Sequence, residues 1–315
     1  MPGLLEQPAL SPQISGTAYS VSAQHVFLDI DFLTRQIRGR TEILVQPYSK
    51  ELKVIKLSCR QCVLTRLNVE GKSARITYND PYSSINLHSS VGVHQHHLLR
   101  KRIERQLRSP PEEELIINLP KSVRIAELDP FSSAAGDVLL SRMNEVFDDK
   151  VDVEPTALLG TPTLKAEEGN SLLTPLKIVI EFYINHIRDG LHFVGVDPGD
   201  VRYPHVYSTN SRYAGTACAL FPCVDDPLAR CPWEISITCP RTLGDAFTKS
   251  KASTEDVVAC AELHELSETR KSEEKQNGIS KDGMNRSLDS LSDEEKVMDL
   301  AVICSGNMTD EASAH

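Results

Sequence analysis

Residues 176–184, with the sequence LKIVIEFYI, decide the fold class of this chain. Their apolar side chains Ile178, Ile180, Phe182 and Ile184 recur at every second position, and side chains at that spacing share one face of a β-strand. β-Branched and aromatic residues suit such a pleated, half-buried surface. The segment therefore predicts a strand with one face against a core.

The same period of two recurs through the first 130 residues. Residues 19–31 and 36–46 predict a hairpin, because Val26, Leu28 and Ile30 alternate with their neighbours across a pleat. Further alternating runs lie at 52–58, 62–69, 74–78, 115–119 and 123–128, with turn residues at 70–72 and 79–81. These runs predict a meander of antiparallel strands and an all-β domain.

Two stretches interrupt this pattern. Between His94 and Arg108, Leu99, Ile103 and Leu107 recur every four residues, which predicts a short amphipathic helix near 97–108 before Pro110 and Pro111. Residues 130–175 are small, polar and proline-rich with little period, and predict an insertion loop.

Charge and composition divide the chain into parts. Hydrophobic residues make up 40% and charged residues 25% of its 315 residues, as in soluble globular chains, and no run is apolar enough to predict a membrane span. The formal charge is −10, and residues 244–315 hold 16 acidic and 8 basic side chains. We predict a flexible N-terminus over 1–16, a β domain over 17–243, a disordered acidic segment over 244–290 and the start of a further helix and strand over 291–315.

The motif at 221–227, FPCVDDP, comes shortly before the only tryptophan, Trp233. Pro222 and Pro227 restrict the backbone, and Asp225 or Asp226 can accept hydrogen bonds from nearby amides, as turn aspartates do. This chemistry favours a tight structural turn. The alternative is the remnant of a peptide-binding wall.

This motif resembles the FPC-x-D-E-P signature in the N-terminal β domain of M1-type zinc aminopeptidases. Further segments extend the resemblance to the TBP-associated factors of the general transcription factor TFIID that are built on an aminopeptidase scaffold. They lie in family order at 25–29, 37–43, 56–62, 78–81, 129–131 and 190–194. The resemblance covers residues 19–243 and resumes weakly at 291–311.

What the resemblance implies is an antiparallel, saddle-like β domain in a noncatalytic scaffold subunit. Its expected place is the nucleus, in RNA polymerase II preinitiation complex assembly, with other TFIID subunits and core promoter DNA as partners. The residues of this chain that match the family motifs, and to which we assign structural roles, are Phe221, Pro222, Cys223, Asp225, Trp233, Gly190 and His192.

The sequence carries no His-Glu-x-x-His, the motif that places two zinc-binding imidazoles and a general base on one helix. Ser211 stands where catalytic relatives have a substrate-binding glutamine, and Cys218 and Ala219 stand where they have paired arginines. We therefore predict no catalytic residue, metal, cofactor or small-molecule substrate. The alternative is an N-terminal fragment of a true zinc aminopeptidase whose ligands lie beyond this sequence.

Two other clusters carry competing interpretations. Cys59 and Cys62 have the spacing of a zinc knuckle, but a structural zinc needs a second close pair, and cysteines in strands are more often small buried hydrophobes. A basic run could contact DNA phosphates through counterion release, or form a solvated helix face. Its five members are Arg100, Lys101, Arg102, Arg105 and Arg108.

Overall fold

The structure is a computed structural model, which describes residues 18–31, 34–83, 114–129, 132–147, 172–185, 187–195, 202–203, 205–208, 217–226, 229, 231–248 and 291–301. Several predictions from the sequence fall outside these residues. They are the flexible N-terminus, the helix near 97–108 and most of the acidic segment.

Thirteen strands are described, in the order β1 Tyr19–Asp31, β2 Gln36–Pro47, β3 Val54–Leu57, β4 Val63–Val69, β5 Lys72–Ser73, β6 Arg75–Tyr78, β7 Leu115–Asn118, β8 Glu127–Leu128, β9 Leu172–Leu173, β10 Leu176–Ile184, β11 His192–Val194, β12 His205–Tyr207 and β13 Trp233–Thr238. The helices are Ser133–Asn144, a 3-10 turn Ala217–Ala219, a helical turn over 243–248 and Asp293–Lys296. The described residues are rich in strands, as the predicted all-β domain requires, but they also include the helix Ser133–Asn144.

The main sheet has six strands in the order β13-β1-β2-β10-β4-β5. β1 and β2 form the predicted antiparallel hairpin, with a bulge between Val21 and Ala23. β10 lies between β2 and β4 and is antiparallel to both. β13 pairs with β1 in parallel, so the sheet is mixed.

The alternation predicted for 176–184 is confirmed, because the side chains at 176, 178, 180, 182 and 184 are all buried. They face a core closed by a second sheet of three strands, in the order β3-β7-β6. Gly39 lies opposite Phe182 across the β2–β10 pair, and a Cβ at Gly39 would lie 2.2 Å from the Phe182 ring. Glycine is therefore required there, because the aromatic ring occupies the space above it.

The other face of the main sheet is covered by the chain that follows the helix Ser133–Asn144. Val146 packs against Ala23 and Leu44, and the carbonyl of Val146 lies 2.9 Å from Nδ1 of the fully buried His25. The amide of Gln46 donates to the Leu173 carbonyl on the same face. As a result, the residues of β2 from Thr41 to Pro47 are buried on both faces.

Four expectations need correction. The strands at 54–57, 63–69 and 75–78 do not form one meander, since β4 joins the main sheet while β3 and β6 flank β7. The predicted insertion loop contains the helix Ser133–Asn144 and strand β9. Of the run at 123–128, only Glu127–Leu128 is a strand. Residues 244–248 are helical, so the predicted disorder does not begin at 244.

The difference at the predicted insertion loop has a physical cause. Burial against the sheet stabilises the chain after the helix Ser133–Asn144, and tertiary contact of this kind overrides weak local propensity.

Within the described residues, no helix combines the length and apolar character that crossing a membrane requires.

Candidate functional site

The FPC motif is held by the loop that leaves β3. Ser58 and Cys223 form an isolated antiparallel bridge, in which the Ser58 amide donates to the Cys223 carbonyl over 2.8 Å and the Cys223 amide returns a bond of 3.0 Å. The Arg60 amide donates to the Cys218 carbonyl over 2.8 Å. These backbone hydrogen bonds join the residues that follow β3 to the motif and to the 3-10 turn before it. We call residues 58–62 together with 217–225 the junction.

The turn within the motif has the chemistry expected of its residues. Oδ2 of Asp225 accepts a 3.0 Å hydrogen bond from the Cys218 amide, which ties the 3-10 turn before the motif to an aspartate within it. The Pro222 carbonyl accepts a 2.9 Å bond from the side-chain amide of the buried Gln24 on β1. Phe221 is buried, and its ring centroid lies 5.8 Å from that of Trp233. The motif therefore ties the main sheet to the second sheet.

A buried ion pair joins the junction to Glu114, the residue before β7. Nε of Arg60 donates to Oε1 of Glu114 over 2.8 Å, and these side chains are only 11% and 7% exposed. Oε2 of Glu114 accepts from the Cys59 amide over 2.9 Å. Burial lowers the pKa of Arg60, but the neighbouring Cys218 and Glu114 raise it more, so the net pKa lies above its ordinary value. The guanidinium is therefore a fixed positive charge.

Gln61 joins more segments than any motif residue singled out from the sequence. Its backbone has a φ of +50°, in the left-handed region. Its side-chain amide donates to the carbonyls of Ala219 and Asp189, at 2.6 and 2.8 Å, and its Oε1 accepts from the Arg188 amide at 2.7 Å. Sequence reasoning assigned Gln61 no role, because a glutamine between two cysteines carries no local signal for three distant backbone partners.

Gly190 and His192 also match the family motifs, and they follow Arg188 and Asp189, the backbone partners of Gln61. Gly190 has a φ of +92°, and a Cβ there would lie 2.6 Å from Leu220 in the junction. The backbone turn therefore favours glycine for both conformation and space. His192 begins β11, where its ring stacks on Tyr207 of β12 with 5.1 Å between centroids. His192 therefore belongs to a separate two-stranded sheet.

The cysteines of the junction are reduced and buried. Cys59, Cys62, Cys218 and Cys223 are free thiols within the main core cluster. Burial raises the pKa of Cys62, Cys218 and Cys223, so these thiols stay neutral near pH 7. Neutral buried thiols are poor nucleophiles and poor metal ligands, since both roles need the thiolate. In the part of the chain that the structure describes, no group of three or more His, Cys, Asp or Glu residues could hold a metal ion.

The basic run from Arg100 to Arg108 lies outside the described residues, as do Ser211, Pro227 and the histidines at 94, 96 and 97. What the structure does bring together is a set of turns, a buried charge pair and neutral thiols. Such an arrangement positions segments relative to one another.

Comparison with curated proteins identifies relatives of one kind. A protein of Schizosaccharomyces pombe named transcription initiation factor TFIID subunit 2 is 28% identical to this chain over 235 residues, which are 74% of this chain and 16% of that protein. The protein of the same name from Saccharomyces cerevisiae is 24% identical over 245 residues, covering 73% of this chain and 16% of its own length. The chain is related in sequence to TFIID subunit 2.

The relationship extends to vertebrate proteins. TFIID subunit 2 of Danio rerio is 24% identical over 224 residues, which cover 70% of this chain and 15% of that protein. The chain thus spans about a sixth of the length of the curated TFIID subunit 2 relatives that it matches. No protein-family model matches the sequence.

Solved structures also resemble the chain. A yeast leukotriene A4 hydrolase in complex with bestatin aligns with a TM-score of 0.42 and 12% identity, over 75% of this chain and 26% of that chain. The native hydrolase from Saccharomyces cerevisiae aligns with a TM-score of 0.42 and 13% identity, over the same shares of the two chains.

We predict that Arg60→Met destabilises this TFIID subunit 2 relative by about 3–5 kcal/mol, because it leaves the Glu114 carboxylate buried without its partner. The measurement is urea unfolding. Arg60→Met combined with Glu114→Gln should recover part of the loss, since the remaining side chain is then neutral. The matched control is Lys50→Met, which removes an exposed ion pair to Glu127 and should cost about 0–1 kcal/mol. Equal losses in Arg60→Met and Lys50→Met would show that the buried pair is unimportant.

The buried thiols predict a loss of stability at alkaline pH. Because burial raises the pKa of Cys62, Cys218 and Cys223, their contribution is complete below the ordinary thiol pKa of ~8.5 and falls as pH rises above it. Each thiol contributes a slope of up to about 1.4 kcal/mol per pH unit. Urea unfolding between pH 7.5 and 9.5 measures the slope. Cys223→Ala should flatten it, and Cys239→Ala, which removes an exposed thiol, should not. Identical slopes in all three proteins would contradict the assignment.

Proposed function

We propose that this chain is a noncatalytic scaffold domain of TFIID, acting in RNA polymerase II preinitiation complex assembly and core promoter recognition. The observation that carries the proposal is the sequence relationship to TFIID subunit 2, which extends over 70–74% of the chain in both fungal and fish relatives. The partners proposed are other TFIID subunits, and the place is the nucleus, on chromatin. The main sheet and junction would form a saddle-like domain of the M1 aminopeptidase N-terminal type.

The chemistry of the junction supports a noncatalytic role. Its buried Arg60 is paired with Glu114, and burial raises the pKa of the thiols of Cys62, Cys218 and Cys223. The side chain of Gln61 makes hydrogen bonds to the backbone of Arg188, Asp189 and Ala219. Groups arranged in this way stabilise a fixed surface for protein contacts.

Promoter DNA would be contacted through the basic run that begins at Arg100. Its five positive charges in nine residues suit phosphate contact, which is insensitive to base sequence. Residues 1–243 are nearly neutral overall, so this contact would support the complex without strong binding by the domain alone.

The second candidate is the N-terminal domain of an M1-type zinc aminopeptidase, and the motif Phe221–Pro227 is the observation that favours it. In that case the catalytic zinc ligands would lie in sequence that follows this chain. A His-Glu-x-x-His in the same open reading frame would favour the peptidase.

The decisive experiment is an affinity purification of the tagged chain from nuclear extract, analysed by mass spectrometry. We expect co-purification of several TFIID subunits in constant ratio, with no zinc in the purified chain by atomic absorption. Tag alone and the Arg60→Met variant are the controls, and the variant should recover less TFIID because its junction is destabilised. Absence of TFIID subunits from the wild-type sample would overturn the proposed function.

The DNA part has its own test, in which the five basic residues at 100–108 are replaced by glutamine. We expect weaker binding to duplex DNA and a shallower dependence of affinity on salt, because fewer counterions are released. A matched variant carries the same charge change at Lys249, Lys251, Lys271, Lys275 and Lys281. If both variants lost the same DNA affinity, net charge alone would explain the effect, and a local DNA contact would be contradicted.

A further inference from the structure

One end of the second sheet carries exposed basic side chains. It is the end where β3 and β6 begin and β7 ends, so it lies opposite the end that leads into the junction. We call residues 53–54, 71–75 and 118–124 the basic end. Its five basic residues, all exposed, are Lys53, Lys72, Arg75, Lys121 and Arg124.

Strand pairing brings the three segments of the basic end together. Asn118 of β7 lies opposite Val54 of β3 on one side and opposite Arg75 of β6 on the other. The Leu119 amide donates to the Lys53 carbonyl over 2.9 Å, which extends the β3–β7 pairing by one residue. Because neighbouring strands are 4.7–4.9 Å apart, the two outer strands are separated by only about 10 Å.

A lysine joins the turn after β7 to the β4–β5 hairpin. Nζ of Lys72 donates to the Ser122 carbonyl over 2.7 Å. The chain turns at this point, since the Val123 amide donates to the Pro120 carbonyl over 2.9 Å. An ammonium group has three donors, so two of those on Lys72 remain for a ligand. The five positive charges therefore share one surface.

This surface has no counterion of its own among the described residues. None of its five cations forms an ion pair there, and the basic end holds no acidic residue, although the whole chain has 44 acidic residues against 34 Lys and Arg. Glu51, Glu70 and Glu127 lie within three positions of it along the chain. Glu70 pairs instead with Arg142 at 3.0 Å, and Glu127 pairs with Lys50.

We propose that the basic end binds the phosphate backbone of duplex nucleic acid. Its cations are exposed and close together, so neutralising phosphates there releases the counterions condensed on the duplex. The inference deepens the proposed promoter contact with residues other than the run that begins at Arg100. It rests on the proposed function only for the identity of the duplex as promoter DNA.

The other side chains of the basic end favour phosphate over an acidic protein segment. Ser73, Asn118 and Ser122 are exposed, and hydroxyl and amide groups supply many of the hydrogen bonds that proteins make to phosphate oxygens. Protein partners instead anchor large side chains in desolvated pockets. Ala74 and Leu119 pack against the main core cluster, and no large apolar side chain of the basic end is exposed.

The first test measures binding of the full chain to a fluorescein-labelled duplex by anisotropy at several salt concentrations. The test variant carries Lys53→Gln, Lys72→Gln, Arg75→Gln, Lys121→Gln and Arg124→Gln together. It should bind at least about tenfold more weakly at low salt, and the slope of log affinity against log salt should fall by about 4. Because all five side chains are exposed, its urea unfolding should match that of the wild type.

The matched control carries glutamine at the five tail lysines 249, 251, 271, 275 and 281, which gives the same net charge. It should retain most of the affinity and of the salt slope. Equal losses in the two variants, or no binding by the wild type at low salt, would overturn the proposal.

Protection of lysines in the wild-type chain tests the place of contact without any substitution. Acetylation by acetic anhydride, read by mass spectrometry, should slow at Lys53, Lys72 and Lys121 when the duplex is added, because phosphates cover their ammonium groups. Lys296, which lies outside the basic end, should react at the same rate with and without the duplex. Equal rates at all four lysines would contradict the assignment.

Two further outcomes separate this inference from its alternatives. Tighter binding of the wild-type chain to a glutamate-rich peptide than to a duplex of the same charge would identify an acidic protein as the partner and overturn the proposal. The binding assays contain no TFIID. Loss of duplex binding in the test variant would therefore support the basic end even if the affinity purification recovered no TFIID subunits and overturned the proposed function.

Discussion

The buried ion pair between Arg60 and Glu114 is the constraint on which the junction depends. Both charges have left water, so each requires the other, and Glu114 uses its second oxygen for the Cys59 amide. The pair connects the loop after β3 to the start of β7, and the Arg60 amide reaches Cys218. Through these bonds, segments far apart in sequence meet at one point in the core.

A second feature of the architecture is that β2 is buried on both faces from Thr41 to Pro47. On one side its odd-numbered residues join the core between the two sheets. On the other, Leu44 lies beneath Val146, while Gln46 and His25 make hydrogen bonds to the backbone of the covering chain. Polar side chains can occupy this second face because each of these hydrogen bonds offsets the cost of removing a polar group from water.

These features bear on function through what they leave at the surface. The internal junction fixes the position of the FPC motif, whose Phe221 ring contacts Trp233 at the sheet edge. Ile235 and Ile237, which follow Trp233 along β13, have exposed side chains. The matched region is 16% of the length of each of the two fungal TFIID subunit 2 relatives.

The sequence by itself determined the strands whose side chains alternate, including β1, β2 and β10, because these signals are local. It also predicted that Asp225 or Asp226 accepts a hydrogen bond from a nearby amide, and in the structure Asp225 does so. Only the tertiary structure decided the order of strands, the parallel place of β13, the helix at 133–144 and the role of Gln61. Each of these depends on partners distant in sequence: Gln61 meets Ala219, and His25 meets Val146. A period of two places a side chain on one face of a strand, but burial against a distant segment decides which strand lies beside it.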